Sequence, residues 1–231
     1  MTTHGTSPDD ASSGERGGRV VEVPSVEQGR QARVETIPAA PRFVYYTASS
    51  LDGFLADEHG SLDWLFAVDD REMPDISAFT ATNGVLVEGS STYEWVLDAE
   101  RLLEQPERWQ ELYGELPTYV FTHRDLPVPA GADVRLVRGE VSELLPEIRR
   151  AAGDKNVWLV GGGDLVGQFY AAGALDELQV TLTPVTLGAG APLLPRRIGS
   201  DRLRLRTVEQ HGQFAHLTYD VTPEGGDDRS A

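Results

Sequence analysis

The chain has 231 residues, 40% of them hydrophobic, with a formal net charge of −17; that is ample for a buried core, and one domain is the expected arrangement. The acidity argues against a nucleic-acid or anionic-membrane partner, since either needs a basic surface. The absence of cysteine excludes disulfides, thiol catalysis and thiolate zinc sites, no apolar run approaches the roughly 18 residues of a membrane span, and without an apolar signal core a cytoplasmic location is expected.

Residues 1–40 are rich in Gly, Ser, Thr, Pro, Glu and Arg and contain no aromatic residue, so they cannot bury enough surface to offset their ordering entropy and read as a flexible tail. Within them, only VVEVPSVE (Val20 to Glu27) could pair as an edge strand. The domain runs over residues 41–222, and PEGGDDRSA at 223–231 reads as a second tail. The domain opens on a β-rich run, Phe43 to Thr47, which gives way to the small residues Ala48, Ser49 and Ser50 and turns through Asp52-Gly53; taken alone, that pair is a plain turn signal. Asp69 to Thr82 reads as a helix started by acids and broken softly by Pro74. After Asn83-Gly84, the strand VLVEG runs into a helix, SSTYEWVLDAERLL, from Ser90 to Leu103. Leu116 to His123 is a strand with Arg124 just beyond its end. Asp133 to Arg138 is a short strand, and Val141 to Ala152 a helix whose Leu144, Leu145 and Ile148 share a face.

The centre of the chain is residues 155–195. Asn156 to Val160 is apolar and β-favouring, Gly161, Gly162 and Gly163 interrupt it, and Asp164 to Ala172 reads as a helix closed by Gly173. Three glycines remove every Cβ where strand hands over to helix, so a ligand or another backbone can come close. The free N–H groups of Gly163, Asp164 and Leu165, with the positive end of the helix dipole, form a seat for a phosphate and suggest a nucleotide. The plainer alternative is a tight turn with Asp164 as N-cap, and the residues alone leave both open. Val166 stands where a Rossmann fingerprint needs its third glycine, and there is no P-loop.

Glu177 to Val185 is a further strand, followed by the glycine and proline loop LGAGAPLLP, and Leu203 to Glu209 with Gln213 to Val221 form a hairpin around His211-Gly212. Strand and helix alternate through residue 173, and three strands without helices follow. The expected fold is α/β: a mainly parallel central sheet with helices on both faces and a C-terminal antiparallel hairpin.

The block from the triple glycine to LGAGAPLLP resembles the reductase domain at the C-terminus of the bifunctional deaminase-reductase of riboflavin biosynthesis, a relative of dihydrofolate reductase. Ser49-Ser50-Leu51-Asp52-Gly53 and Gly60-Ser61-Leu62-Asp63-Trp64-Leu65 match that family's first strand end and following loop. The resemblance spans residues 42–221 and implies a dihydrofolate reductase-like fold and an NAD(P)H cofactor. It places the nicotinamide near Ala48, with the loop from Asp52 to Trp64 over nicotinamide and substrate, so that Ser50 and Trp64 are candidate substrate contacts. Asp52 and Asp69 are the candidate catalytic residues; Asp69 and Asp70 fall about where dihydrofolate reductase carries its substrate-facing carboxylate, although a solvated helix cap also fits. Gly89-Ser90-Ser91-Thr92-Tyr93-Glu94 matches a Gly-Arg-x-Thr junction, with the Thr92 hydroxyl and the helix-start amides that follow Gly89 at the pyrophosphate. There the family's arginine, which faces the adenosine 2′-phosphate, is replaced by Ser90, and Ser90 and Ser91 can still donate hydrogen bonds there as neutral partners. Thr122, His123 and Arg124 should face the adenosine half from a strand end, and Arg124 either replaces the missing charge or is an exposed loop residue. NADPH is the expected cofactor, with NADH possible.

The function implied is hydride transfer to a small heterocyclic substrate, as in 5-amino-6-(5-phosphoribosylamino)uracil reductase, by a stand-alone reductase with no deaminase domain, pairing as a homodimer through its late strands. The alternative is a catalytically silent nucleotide-binding or interaction protein on the same fold. His59, His123, His211 and His216 show no metal-ligand spacing, and no Gly-x-Ser-x-Gly elbow is present, so metalloenzyme and hydrolase readings are weak and no metal is expected.

Overall fold

In the computed structural model, residues 40–68 and 76–223 are described. The expected N-terminal tail with its Val20 to Glu27 stretch, the acids at 69 and 70, and the C-terminal tail beyond Pro223 lie outside the described residues. The strands are Phe43–Ser50 (β1), Phe54–Ala56 (β2), Asn83–Gly89 (β3), Thr118–Phe121 (β4), Val134–Val137 (β5), Asn156–Gly161 (β6), Glu177–Thr183 (β7), Ala191–Pro192 (β8), Leu203–His211 (β9) and Phe214–Val221 (β10). The helices are Asp63–Phe66 (α1), Ser77–Thr80 (α2), Ser90–Ala99 (α3), Glu107–Tyr113 (α4), Val141–Ala152 (α5) and Gly163–Ala171 (α6).

One eight-stranded sheet has the order β5-β4-β3-β6-β1-β7-β10-β9, while β2 and β8 pair separately. The run from β5 to β7 is parallel, and β10 and β9 close the sheet antiparallel. This is the architecture expected from the alternation of elements. Its central strands are apolar on both faces, as a parallel sheet covered on two sides requires: Phe43, Val44 and Tyr45 in β1 and Val85, Leu86 and Val87 in β3 are all buried. On one side Val85, Val87, Val157 and Leu159 pack against Ile148 of α5 and Phe169 of α6; on the other Val120 packs against Tyr93, Val96 and Leu97 of α3 and Trp109 of α4.

Several boundaries differ from expectation for local reasons. The helix from Ser90 ends at Ala99 rather than Leu103, because Arg101 turns to φ 53°, a left-handed conformation that cannot continue a helix. A separate helix, α4, follows. Of the helix expected over 69–82, the described part is α2 alone. Leu116 to His123 narrows to β4 and Asp133 to Arg138 to β5. β2 and β8, three and two residues long, were not expected, being too short to carry a readable period. Among the described residues no helix is long and apolar enough to cross a membrane, and no group of three or more His, Cys, Asp or Glu could hold a metal ion.

Candidate functional site

β3 and β6 are adjacent and parallel, and each runs directly into a helix, so α3 and α6 begin side by side at the carboxyl edge of the sheet. Their N-caps are Gly89 and Gly162, and neither supplies a side-chain cap. The first-turn amides, at Ser90, Ser91 and Thr92 in one helix and Gly163, Asp164 and Leu165 in the other, therefore have no intrahelical acceptor. Both helix starts line a cleft of about 560 Å³. A Cβ built on Gly162 would meet nothing within 4 Å; it would project into open space. Gly163 differs: its Cβ would collide with the carbonyl oxygens of Pro192 and Leu193, so this glycine lets the β8 segment pass close by. The Gly161–Gly162 peptide is cis.

Asp164 lies in the first turn of α6 rather than at its N-cap. Its carboxylate accepts from Gln168 Nε2 and Arg196 Nη2, both at 3.0 Å; the Gln168 hydrogen bond, then Arg196, holds its pKa below the usual carboxylate value. Arg196 thus offsets an acid that would otherwise repel an anion at this helix start. Across the same cleft stand Thr122, His123 and Arg124, joined by Arg138. Arg124 pairs with Glu94 of α3, and Arg138 with Asp125 at 2.6 Å.

A second cleft, about 920 Å³, is continuous with the first: Leu55, Ser91, Thr92, Gly162 and Ala191 line both. Its floor is Tyr46 and Ala48 of β1 and Trp158 and Val160 of β6, and its wall is Trp95 and Val96 of α3, Tyr113 of α4 and the segment holding Leu62, Leu65 and Phe66. The aromatic rings brace one another. Tyr46 stacks on Phe79 at 4.6 Å and meets Trp158 edge-on at 6.3 Å, while Phe66 lies parallel to Trp95 at 6.2 Å. Beside this wall is Glu88 of β3, paired in register with Val120 and Gly161. Burial pushes its pKa up to about 8, so it is neutral at neutral pH.

Of the residues singled out in the sequence, Ala48, Gly89, Ser90, Ser91, Thr92, Thr122, His123, Arg124, Gly161, Gly162, Gly163, Asp164 and Leu165 all line one or both clefts. Of the others, three described residues do not join them, and the fourth, Asp69, is not described. Asp52 lines neither cleft; its carboxylate accepts from Ser50 Oγ at 2.7 Å, Gly188 N at 2.7 Å and Leu187 N at 3.1 Å, so it ties the first loop to the 187–188 segment instead of facing a substrate. Ser50 is buried and also accepts from Phe54 N at 2.9 Å, which makes it part of the same tie. Trp64 sits in α1 with its Nε1 buried and without a hydrogen-bond partner, while its neighbours Leu62, Leu65 and Phe66 form the cleft wall. Asp69 lies outside the described residues. The sequence reading missed Arg138, Tyr46, Trp95, Tyr113 and Trp158; for Trp95 the only signal was an aromatic residue on a helix, which core packing explains equally well, and Tyr113 lies on a helix that the sequence reading did not expect.

A mainly parallel sheet with an antiparallel edge hairpin, two bare helix starts facing one cleft and an apolar cleft beside it define a reductase-like α/β protein of the dihydrofolate reductase type. The chain belongs to the RibD C-terminal domain family, whose model matches residues 41–217. It is 32% identical over 181 residues to the uncharacterized protein YwjB of Bacillus subtilis (strain 168), covering 76% of this chain and 95% of that protein. A crystal structure from Shewanella sp. PV-4, described provisionally as a riboflavin biosynthesis protein, superposes with a TM-score of 0.64 at 27% identity, covering 78% of this chain and 99% of that one. The diaminohydroxyphosphoribosylaminopyrimidine deaminase/5-amino-6-(5-phosphoribosylamino)uracil reductase of Thermotoga maritima shares the fold, with a TM-score of 0.53 at 17% identity over 79% of this chain and 57% of that one.

Proposed function

We propose that this chain is an NAD(P)H-dependent reductase acting on a small heterocyclic substrate. The observation that carries the reading is the continuity of the two clefts: the more polar one, at two uncapped helix starts, runs past Gly162 and Thr92 into a more apolar one over Ala48. That is the division a dinucleotide needs, with anion-binding amides for the diphosphate and a flat, side-chain-poor strand end for the nicotinamide. Gly162 leaves the volume that a diphosphate would fill, and the amides of α3 and α6 would donate to it. Thr122, His123, Arg124 and Arg138 would surround the adenosine half. When bound, the reduced nicotinamide supplies hydride to the carbon of a C=N or C=O group while the heteroatom takes one proton from water, a net gain of two electrons and two protons. The chain's part is to position and to exclude water, with Tyr46, Trp95 and Trp158 closing the apolar side. The reaction named for the Thermotoga maritima protein is of this class.

We also propose that two copies pair through the late strands. β9 is an edge strand whose Leu205 and Val208 are 50% and 61% exposed, and an uncovered edge with apolar side chains favours a partner.

The test of the reductase reading is titration of the purified protein with NADPH and with NADH, followed by nicotinamide fluorescence. Saturable binding of either is expected. A folded protein that binds neither has only the shape of a reductase, which is the silent alternative.

A further inference from the structure

Glu88 carries the last side chain of β3 before Gly89, the N-cap of α3, and its register partner on β6 is Gly161, the residue before Gly162, the N-cap of α6. It stands directly behind both helix starts of the first cleft. Its register partner on the other side, Val120 of β4, packs under Tyr93, Val96 and Leu97 of α3 and Trp109 of α4. Partners in register share a sheet face, so the Glu88 side chain lies on that covered face, beneath the opening turns of α3.

Only 3% of Glu88 is exposed. Among the described residues none hydrogen-bonds to its carboxyl or pairs with it, and burial is the one influence on its titration. An acid buried without a partner is held in its neutral form, because the charged form has lost its water and gained nothing in exchange. The ionisable groups that face it from the packed elements are Tyr93 of α3 and Tyr113 of α4, both pushed upward by burial and by Glu88. Glu100, which also bears on Tyr113, is paired with Arg108. Its strand neighbours Val120 and Gly161 bring no charge. The first cleft beyond the helix starts holds His123, Arg124, Arg138 and Asp164.

A diphosphate on the amides of α3 and α6 and a carboxylate at Glu88 would draw on the same positive helix ends. Like charges separated by protein interior, with little water between them, repel strongly. We infer that cofactor binding by this chain is linked to a proton at Glu88: the two helix starts hold a diphosphate tightly while Glu88 is protonated and release it more readily once Glu88 is ionised. The linkage rests on the reductase reading for the identity of its anion and adds a pH control to the same site.

The sign follows from the free protein, where burial pushes the Glu88 pKa up to about 8. A bound diphosphate pushes it higher still, so affinity falls as pH rises above about 8 and levels off where the bound form also loses its proton.

Titration of the full chain with NADPH at pH 7.5, 8.5 and 9.5, followed by nicotinamide fluorescence, tests the linkage; the second ionisation of a phosphate, at about 6, is complete throughout, so the charge of the cofactor stays constant. Wild-type affinity should fall roughly fivefold or more over this range, which corresponds to a rise of about one pKa unit on binding. Calorimetry at pH 8.5 in two buffers of different ionisation enthalpy should show about half a proton taken up per NADPH bound. Glu88→Gln should flatten the profile and abolish the uptake. Glu88→Met should do the same, and it carries the test if the buried amide does not fold. A wild-type affinity that changes less than about twofold, or a pH dependence that survives in either folded variant, would overturn the linkage. NADPH binding without proton uptake removes the linkage alone, whereas no NADPH binding at any pH removes the reductase reading and the linkage with it.

Discussion

Arg124 and Glu94 form a two-pronged ion pair across the adenosine end of the site, with Arg124 Nη1 donating to Oε1 at 2.9 Å and Nη2 to Oε2 at 2.5 Å. Arg124, which we propose stands in for the cation absent at Ser90, is therefore already shared with a carboxylate. A modest preference for NADPH over NADH follows, since a charge-assisted bond to the 2′-phosphate is worth on the order of 1.5 to 3 kcal/mol before that competition. Arg124→Ala should remove most of the preference and leave NADH affinity nearly untouched. Glu94→Gln, which releases the guanidinium, should raise the preference several-fold. Equal wild-type affinity for the two cofactors would make Arg124 a solvated loop residue.

The three glycines before α6 divide by what lies opposite each. A Cβ at Gly162 meets no protein atom within 4 Å, and a valine there would fill the proposed phosphate seat, so Gly162→Val should keep a native melting curve and lose cofactor binding. Gly163→Ala drives a Cβ into the Pro192 and Leu193 carbonyls, and overpacking of that kind typically costs about 1 to 3 kcal/mol. Fluorescence titration and thermal melts of the pair separate the two roles; unimpaired binding by folded Gly162→Val would remove this turn from the site.

Glu88 gives the fold a pH dependence with a definite sign. Its folded pKa of about 8 is above the ordinary 4.5, so over that interval the native state keeps a proton that the unfolded chain has released. Stability attributable to this group must then fall as pH rises from about 4.5 to about 8 and level off beyond. The groups whose titration it perturbs, Tyr93 and Tyr113, stay protonated across that range, both pushed upward by their own burial and by Glu88. Glu88→Gln, a neutral near-isostere, should match the wild type within about 1 kcal/mol near the acid end and melt at clearly higher temperature at the alkaline end. A wild-type-to-variant difference that is constant with pH would show that the carboxyl is solvated.

The edge of the sheet predicts an assembly. Light scattering at micromolar concentration should give about twice the 25.2 kDa of one chain, in keeping with the common two-fold pairing of soluble proteins. Val208→Asp on β9, an exposed site where the monomer tolerates charge, should return a single-chain particle with an unchanged fold. A wild-type particle of one chain's mass would refute pairing through this edge.

Much of the fold was legible because its signals are local. The strand, glycine run and helix at 156–172 announce themselves by residue type within a few positions, and the alternation of strand and helix followed by strands alone limits the sheet to a mainly parallel one with an antiparallel end. The same locality made the helix starts at Ser90 and Gly163 readable as anion seats. Short elements were a different matter: β2 and β8 carry too few residues for a period, and the break at Arg101 is a backbone event with no mark in composition.

The sequence by itself determined the family, the order of the longer elements and the residues of the proposed phosphate seat, because each depends on neighbours along the chain. Only the tertiary structure decided what faces those residues. Insertion of β6 between β3 and β1 brings Trp158 beside Tyr46, 112 positions away, to which its Nε1 donates at 3.2 Å, and so builds an apolar cleft that no segment foreshadows. Asp52 looked like a catalytic acid on an exposed turn until its carboxylate met the amides of Leu187 and Gly188, 135 and 136 positions away. Gly162 and Gly163 are identical in sequence and opposite in role, one open to the cleft and one pressed against a backbone, because a missing side chain takes its meaning from whatever the fold places across from it.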